Sequence, residues 1–163
     1  MPHNAENKTN AIRIVEKSGI PFRVQSYDHS DGQIDGLSVA AKLGEDPAQV
    51  YKTLVTRGAS KALYVFVIPV GRELHLKQAA KAVGEKSIEM IKVSEINHLT
   101  GYIRGGCSPV GMKKLYPTVL DSSAQEQPLI FVSAGKIGLQ LGVNPQDLAG
   151  LVRGKFAAVT SES

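Results

Sequence analysis

Residues 63–70 form an almost continuous run of β-branched and aromatic residues, which is typical of a buried strand. Residues 51–56 before them also have strand character, and residues 57–61 contain the Gly and Ser of a turn. The two strands are therefore predicted to pair as a hairpin. Hairpin-like pairs recur towards the end of the chain, which disfavours a doubly wound parallel sheet.

The other elements follow from apolar spacing and from residues that begin or end helices and strands. Helices are predicted at 9–18, at 38–43 with Ser38 as the cap, at 76–83, at 94–99 with Ser94 as the cap, and from Asn144-Pro145 to Gly154, with one further turn at Asp46-Pro47. Strands are predicted at 21–27, 87–91, 118–120, 129–133, 139–143 and 156–159. This irregular mixture indicates an α+β fold built round a curved, mostly antiparallel sheet.

Length and charge limit the classes of protein further. The chain has 163 residues, enough for one domain spanning 1–163, with residues 1–8 expected to be frayed. Apolar residues make up 42% and charged residues 21%, so a disordered chain is not expected. The net charge of +4 permits a polyanionic partner and equally fits an ordinary basic surface. With aromatics at 6% and no Trp, a broad base-stacking platform is not expected.

The sequence lacks the motifs of several classes of enzyme and metal-binding protein. A single cysteine, Cys107, excludes an internal disulfide and a Cys-rich zinc site, and it fits a reducing compartment. The four histidines lack a zinc-binding spacing, and there is no P-loop, dinucleotide fingerprint or G-x-S-x-G elbow. No metal or cofactor is therefore expected. No apolar stretch approaches the ~20 residues of a membrane span, and the polar start lacks a signal peptide, so a cytoplasmic protein is expected.

Two groups of residues are candidates for a functional site. Lys52 stands near the start of an otherwise apolar strand, where it either extends its ammonium to solvent or faces a polar cleft and binds an anion. Residues 100–111 contain four glycines, which suit either a tight crossover or a loop whose N–H groups form an oxyanion hole. Cys107 in that loop is either a nucleophile or a small buried side chain. A second turn of small residues, 133–138, could form the opposite wall.

Four segments in register resemble a known family. They are Tyr27-Asp28-His29; Val50-Tyr51-Lys52-Thr53-Leu54; Thr100-Gly101-Tyr102 with Gly105-Gly106-Cys107-Ser108-Pro109-Val110-Gly111; and Val132-Ser133-Ala134-Gly135-Lys136 with Gly138-Leu139. In this order they resemble the bacterial Cys-tRNA(Pro) deacylases of the YbaK type, whose fold is also inserted as an editing domain in prolyl-tRNA synthetases. The likeness runs over about residues 10–160. It implies a pseudo-barrel flanked by helices.

The resemblance also implies a reaction and a site. The chain would be a trans-editing hydrolase that cleaves the ester of mischarged Cys-tRNA(Pro), with Cys-tRNA(Cys) as a further candidate substrate. The reaction would need no metal and would be helped by the substrate thiol, which also allows a lyase-like, cyclising release of the amino acid. Lys52 would position the ester and the tRNA 3′ end. The implied substrate-binding residues are Tyr27, Gly101, Gly105, Gly106, Cys107, Ser108, Pro109, Ser133, Gly135 and Gln140. The partners would be aminoacyl-tRNA and prolyl-tRNA synthetase, with no membrane.

Three positions depart from the family pattern. Cys107 replaces an aliphatic residue, Ile137 a frequent Arg, and Gln140 a frequent Asp that is associated with the substrate site. These departures keep open a deacylase for Ala-tRNA(Pro) or another small amino acid, or a non-catalytic module that binds aminoacyl-tRNA or the synthetase. Basic residues in predicted loops either bind acceptor-stem phosphates or are merely solvated. They are Arg57, Lys61, Lys113, Lys114 and Lys136.

Overall fold

The fold combines short helices with two small sheets in a computed structural model that describes residues 8–161. These residues contain five α-helices: α1 (Asn10–Ser18), α2 (Gly36–Leu43), α3 (Leu76–Val83), α4 (Val93–Thr100) and α5 (Pro145–Val152). They also contain eight strands: β1 (Phe22–Ser26), β2 (Tyr51–Gly58), β3 (Leu63–Pro69), β4 (Ile88–Met90), β5 (Thr118–Asp121), β6 (Ile130–Ser133), β7 (Leu139–Val143) and β8 (Lys155–Ala157). Two short 3₁₀ helices, Pro47–Gln49 and Ser122–Glu126, precede β2 and follow β5.

The strands of the described region form two open sheets. The smaller is antiparallel, in the order β1-β7-β6, and the larger has the order β4-β2-β3-β5-β8. The predicted hairpin of β2 and β3 is confirmed, with Lys52 opposite Ile68. β3, β5 and β8 pair in parallel, so the larger sheet is mixed. The expected α+β class with a mostly antiparallel, mixed sheet flanked by helices is confirmed, and the strands divide between two sheets.

The main core lies between the two sheets and is closed by α1 and α5. Ile12 and Val15 of α1 meet Leu141 of β7, Leu120 of β5 and Leu148 of α5, all nearly or fully inaccessible to solvent. These residues come from both ends of the chain. Burying them together therefore holds the terminal helices against both sheets, at about 1.5–3 kcal/mol per large side chain.

Two smaller clusters lie on other faces of the sheets. On the larger sheet, Phe66 and Ile68 pack beneath Ala79 of α3. Beside α2, Val50, the residue before β2, packs against Phe131 of β6. The same two residues form an isolated parallel bridge between the sheets, and this bridge positions the site described below.

Most predicted helix ends are confirmed, and three differ. The cap of α2 is Asp35, whose carboxylate accepts from the Ser38 N–H and hydroxyl, because the helix begins one turn earlier than predicted. α4 begins after Lys92 without a side-chain cap, so Ser94 lies inside the helix. α5 ends at Arg153, which adopts the left-handed conformation with φ +54°.

The sequence also predicted a frayed start, a single domain and no membrane-spanning helix. Of the expected frayed start, residues 1–7 lie outside the described residues, whereas Lys8 forms an ion pair with Glu16 at 3.3 Å. The single domain over 1–163 stays a prediction. Within residues 8–161, no helix is both long and apolar enough to cross a bilayer.

The last strand is shorter than predicted because Asp121 captures the backbone that follows it. This carboxylate is 2% exposed and accepts from the Val159 N–H at 3.0 Å. It also accepts from the Thr160 hydroxyl at 3.3 Å and caps the 3₁₀ helix through Ser123. Asp121 therefore holds residues 159–160 against the 3₁₀ helix at the end of β5.

We expect Asp121→Ala to lower the free energy of unfolding by at least about 2 kcal/mol, because the buried Val159 N–H loses its acceptor. Urea unfolding of the two proteins measures the difference. The matched control is Glu89→Ala, which removes an exposed carboxylate on β4 and should change stability by less than about 0.5 kcal/mol. Equal effects of the two substitutions would contradict the assigned role.

Candidate active site

The candidate site is a cleft that opens where the two sheets separate. Two residues beyond the bridge between Val50 and Phe131 stand Lys52 on β2 and Ser133 on β6. Because alternate residues of a strand face the same side, Lys52 shares a face with Val50, and Ser133 with Phe131. Ser133 is in turn paired with Gln140 on β7. The bridge therefore brings three predicted site residues from distant parts of the sequence to one surface.

This cleft has a volume of about 380 Å³, which lies within the range of roughly 300–1,000 Å³ typical of small-ligand sites. The predicted site residues that line it are Lys52, Tyr27, Gly105, Cys107, Ser133 and Gln140. The other lining residues are Ile34, Asp35, Gly36, Val39, Val50, Tyr51, Thr53, Leu54, Val70 and Arg104. Polar groups thus stand over a floor that is largely aliphatic.

Lys52 brings an uncompensated positive charge to the cleft. Its side chain is half-buried and has no hydrogen bond or ion pair with the rest of residues 8–161. An ammonium that has lost part of its water without gaining a counter-ion favours an anionic ligand or a developing negative charge. Of the two readings open from the sequence, the cleft location fits the anion-binding one.

Two acceptor atoms in the neighbourhood are buried without partners. Gln140 is 6% exposed, and its Oε1 has no hydrogen bond, as is also true of the buried Oγ1 of Thr53. Leu139 and Leu141 pack in the main core, so the side chain of Gln140 between them faces the opposite side of β7, towards the cleft. A buried polar group without a partner costs about 1–3 kcal/mol, and an acceptor left in this state suits a ligand that donates a hydrogen bond.

The glycine-rich loop closes one side of the cleft by packing against the 133–138 turn. A Cβ added to Gly106 would lie 3.1 Å from the backbone nitrogen of Ile137, so a larger residue would push the two backbones apart by a few tenths of an ångström. The loop is held from within by the Tyr102 hydroxyl, which donates to the Val110 carbonyl at 2.5 Å. Burial raises the pKa of Tyr102 to about 12, and the hydroxyl therefore remains a donor at neutral pH.

A second loop, residues 28–36, forms another wall and is organised by Lys42. The ammonium of Lys42 donates to the Asp28 carbonyl and to the Asp31 carboxylate, both at 2.7 Å, and to the Gln33 carbonyl at 3.0 Å. These bonds satisfy all three donors of the ammonium. The Lys42 side chain also holds the pKa of Asp31 below its usual value by hydrogen bonding to the carboxylate.

Two predicted site residues line a different cavity, which we call the second pocket. Gly101 and Gly135 line it together with His29, Tyr102, Ile103, Lys136 and Ile137, and its volume is also about 380 Å³. Gly135 has φ +97°, and its hydrogen faces the ring of Tyr102, where an added Cβ would lie 2.9 Å from Cε1.

Three other predicted residues lie away from the cleft lining. Gly106 is buried between the two loops, and Ser108 is fully buried, with its Oγ accepting from the Val110 N–H at 3.2 Å. Pro109 is also buried and lines a separate groove beside Ile14. Ser108 and Pro109 therefore shape the loop from inside.

Cys107 carries the thiol of the glycine-rich loop and lines the cleft. Burial raises the pKa of its thiol to about 11, although a hydrogen bond with Thr100 opposes the shift. The thiolate is the nucleophilic form, so this environment favours a neutral, packed side chain over a nucleophile. In the described part of the chain, no group of three or more His, Cys, Asp or Glu side chains could hold a metal ion.

We expect alkylation of Cys107 by iodoacetamide to be slow at pH 8, where roughly one thiol in a thousand is ionised. The rate should rise about tenfold per pH unit until the pH approaches 11. The same protein unfolded in urea is the control, and its rate should level off about two units lower, near an ordinary cysteine pKa. A native rate that levels off below pH 9 would contradict the burial argument.

Sequence reasoning missed several lining residues, and only some of them carried a signal. Asp35 stands three residues before Ser38, the spacing of an N-cap and its partner, and could have been assigned as the cap of α2. Arg104 lies in the glycine-rich loop and gave no sign of its position. Ile34, Val39 and Val70 are ordinary apolar residues whose place in the cleft depends on how α2 packs against β2.

The basic residues singled out from the sequence are dispersed. Arg57 forms an ion pair with Glu95 at 3.1 Å, and the Lys113 ammonium donates to the His98 carbonyl at 3.0 Å. Lys61 occupies the hairpin turn with φ +78°, and Lys114 lines the groove next to Pro109. Lys136 alone among these five lines a cavity that adjoins the cleft.

Comparison with known proteins identifies the family. The model of the aminoacyl-tRNA editing domain matches residues 37–151, which include Lys52, the glycine-rich loop and Gln140. The chain belongs to the aminoacyl-tRNA editing domain family. The family expected from the four segments is thereby confirmed, and the cleft is the candidate active site of this editing domain.

Relatives and solved structures extend the match. A protein of Enterococcus faecalis described as "Putative Cys-tRNA(Pro)/Cys-tRNA(Cys) deacylase EbsC" is 43% identical over 157 residues, 96% of either chain. The crystal structure of "a putative trans-editing enzyme for prolyl tRNA synthetase" has a TM-score of 0.81 at 24% identity and covers 94% of this chain and 98% of its own. A hypothetical protein of known structure has a TM-score of 0.86 at 21% identity, over 94% and 100%. These two structures share the fold of the editing domain.

Proposed function

We propose that this editing domain is a trans-editing aminoacyl-tRNA deacylase that hydrolyses the ester of mischarged Cys-tRNA(Pro), with Cys-tRNA(Cys) as a second substrate. The observation that carries the proposal is the pairing, in one cleft, of the unneutralised Lys52 ammonium with the unpartnered Gln140 Oε1. An aminoacyl ester presents a carbonyl that becomes negative during hydrolysis and an α-ammonium that donates hydrogen bonds. The cleft offers a complementary group to each.

Lys52 is the catalytic residue of the proposal. Its ammonium stabilises the negative charge that develops on the ester carbonyl oxygen, and Gly105 and Cys107 of the glycine-rich loop line the same cleft. A preorganised charge in a partly dry site stabilises an oxyanion more than water does. Because an aminoacyl ester is already activated, positioning and charge stabilisation suffice without a nucleophile from the protein.

Gln140 fixes the other end of the aminoacyl group. The α-ammonium of the substrate donates to Gln140 Oε1, which is otherwise unpaired. This interaction directs the amino group away from Lys52, whose like charge repels it. The carbonyl group is thereby turned towards the Lys52 ammonium.

The substrate thiol supplies the nucleophile. Its sulfur attacks the carbonyl carbon of the same residue, which forms a C–S bond and breaks the C–O bond to the ribose. The ribose oxygen takes up the proton that the thiol releases, and water then opens the four-membered thiolactone to free cysteine. Holding thiol and carbonyl in one orientation promotes the step by proximity.

The partners of the proposal are aminoacyl-tRNA and prolyl-tRNA synthetase. The basic groups of the described chain are dispersed, so the protein on its own should bind the acceptor stem weakly and with a shallow dependence on salt. Selection of tRNA(Pro) would then depend on the synthetase that holds it.

Deacylation of purified Cys-tRNA(Pro), Cys-tRNA(Cys) and Ala-tRNA(Pro) tests the proposal. We expect rapid loss of both cysteinyl esters and at least about tenfold slower loss of the alanyl ester, because alanine lacks the thiol. Faster loss of the alanyl ester would assign the domain to small amino acids without a thiol. Binding of all three without hydrolysis would make it a non-catalytic module.

A further inference from the structure

The 28–36 loop, which forms one wall of the cleft, is fixed to the fold at both ends. Just before it, the Tyr27 N–H donates to the Gly138 carbonyl at 2.9 Å. At its other end, Gly36 lies against Val70, the residue after β3, and an added Cβ would be only 2.4 Å from the Val70 Cβ. The two ends are therefore held by backbone contacts with neighbouring elements, and the middle of the loop needs contacts of its own.

The middle of the loop, residues 30–34, is joined to α2 by Lys42. The Lys42 ammonium donates to the Asp31 carboxylate at 2.7 Å and to the Gln33 carbonyl at 3.0 Å. Within the described part of the chain, the other hydrogen bonds of residues 30–34 run inside the loop. α2 is itself packed on the core through Ala40, which is fully buried. Lys42 therefore fixes the middle of the loop to a helix that is held by the core.

Ile34 connects this loop to the glycine-rich loop. Its side chain is half-buried and lines the cleft, and a Cβ added to Gly105 would lie 2.9 Å from its Cδ1. The same Cβ would lie 3.5 Å from Cγ1 of Ile137, which lines the second pocket. Gly105 is thus held between two isoleucine side chains. If Ile34 moved away, the glycine-rich loop would lose its contacts on the cleft side.

We propose that Lys42 is a positioning residue for the deacylation and acts through Ile34 on the glycine-rich wall of the cleft. This inference rests on the proposed function, because its consequence is the placement of the ester against Lys52. Lys42 does not line the cleft, and its three donors are occupied by acceptors of the loop, so none is left for the substrate.

Two physical effects connect the position of Ile34 with the rate. The glycine-rich wall and Lys52 line the same cleft, so the orientation of the ester depends on how far apart they are held. A displacement of about 1 Å can cost roughly a hundredfold in rate. Ile34 in its place also limits the water around the Lys52 ammonium, which strengthens the interaction of this charge with an oxyanion.

Nuclear magnetic resonance of the full chain tests the position of Ile34 without requiring hydrolysis. With isoleucine δ1-methyl groups labelled, we expect a nuclear Overhauser effect from both the Ile34 and the Ile137 methyl to the Hα of Gly105. Lys42→Met keeps an unbranched side chain and removes the donors. It should abolish the effect from Ile34 and preserve that from Ile137. An undiminished effect from Ile34 in Lys42→Met would overturn the proposal.

The rate of deacylation tests the consequence of this contact. We expect Lys42→Met to lower kcat/KM on Cys-tRNA(Pro) at least about tenfold, mainly through kcat, because orientation is lost while contacts with tRNA remain. Lys81→Met is the matched control. Lys81 is exposed in the last turn of α3, as Lys42 is in the last turn of α2, and both helices end at a left-handed glycine. Equal losses in the two variants would overturn the positioning role.

A double-mutant cycle tests whether Lys42 acts through Ile34. Ile34→Ala removes the methyl group that meets Gly105 and leaves the hydrogen bonds of Lys42 in place. Because both substitutions remove the same contact, the double variant should have a kcat within about twofold of the slower single variant. A kcat reduced by the product of the two single effects would show that Lys42 acts by another route.

The outcomes separate this inference from the proposed function. If the wild type deacylates Cys-tRNA(Pro) and Lys42→Met keeps its full kcat, Lys42 is not a positioning residue and the editing function stands. If the wild type deacylates none of the charged tRNAs but Lys42→Met abolishes the Overhauser effect from Ile34, Lys42 still holds the wall of the cleft and the deacylase function falls.

Discussion

Lys52→Ala is expected to lower kcat/KM for deacylation of Cys-tRNA(Pro) by at least about a hundredfold, which is the usual cost of removing one donor to an oxyanion. The ammonium has no partner within residues 8–161, so its loss breaks no internal contact. Thermal unfolding should therefore be almost unchanged. Single-turnover deacylation of the purified ester, followed with labelled cysteine, measures the effect.

Two further lysine variants sharpen this test. Lys52→Arg keeps the charge but spreads it over a planar group, and it should recover only part of the activity. Lys77→Ala removes an exposed lysine on α3 and is the control for a change in net charge. If Lys52→Ala and Lys77→Ala lower the rate equally, the loss comes from long-range attraction of tRNA and not from the reacting ester.

Gln140→Leu is expected to have opposite effects on stability and on activity. Leucine has nearly the size of glutamine and removes a buried acceptor that has no partner, so the free energy of unfolding should rise by about 1 kcal/mol. The α-ammonium of the substrate loses its acceptor at the same time. A hydrogen bond to a charged group contributes about 1.5–3 kcal/mol, so kcat/KM on Cys-tRNA(Pro) should fall by roughly tenfold to a hundredfold.

The chain provides a close control for this substitution. Gln25 lies opposite Gln140 in the register of β1 and β7 but does not line the cleft. Gln25→Leu should therefore leave deacylation within about twofold of the wild type. Urea unfolding and single-turnover deacylation of both variants complete the comparison. A Gln140→Leu protein that is less stable and fully active would show that its side-chain amide is structural.

The local elements of the editing domain were predictable because their signals are local. The hairpin of β2 and β3 follows from two adjacent β-branched runs joined by a turn, and α1 follows from apolar spacing between Thr9 and Gly19. The parallel pairing of β3 with β5 was not predictable, since nothing in the residues of either strand specifies a partner fifty positions away. For the same reason, the division of the strands into two sheets appeared only in the structure.

The sequence predicted which residues belong to the candidate site better than it predicted how they are arranged in space. Lys52, Gly105, Ser133 and Gln140 were named from the sequence and line one cleft. Gly101 has the same glycine signal as Gly105 but lines the other cavity. Composition and spacing cannot tell which of two neighbouring cavities a glycine of one loop lines.

The sequence alone determined the α+β class, the helix and strand order, the editing-domain family and the presence of one charged residue in an apolar strand, since each of these is expressed in neighbouring residues or ordered motifs. The tertiary structure decided what surrounds that charge. The bridge between Val50 and Phe131 helps to set β2 beside β6, and this packing places Lys52 in the same cleft as Gln140. Packing between distant strands depends on the whole core, so no local pattern records it.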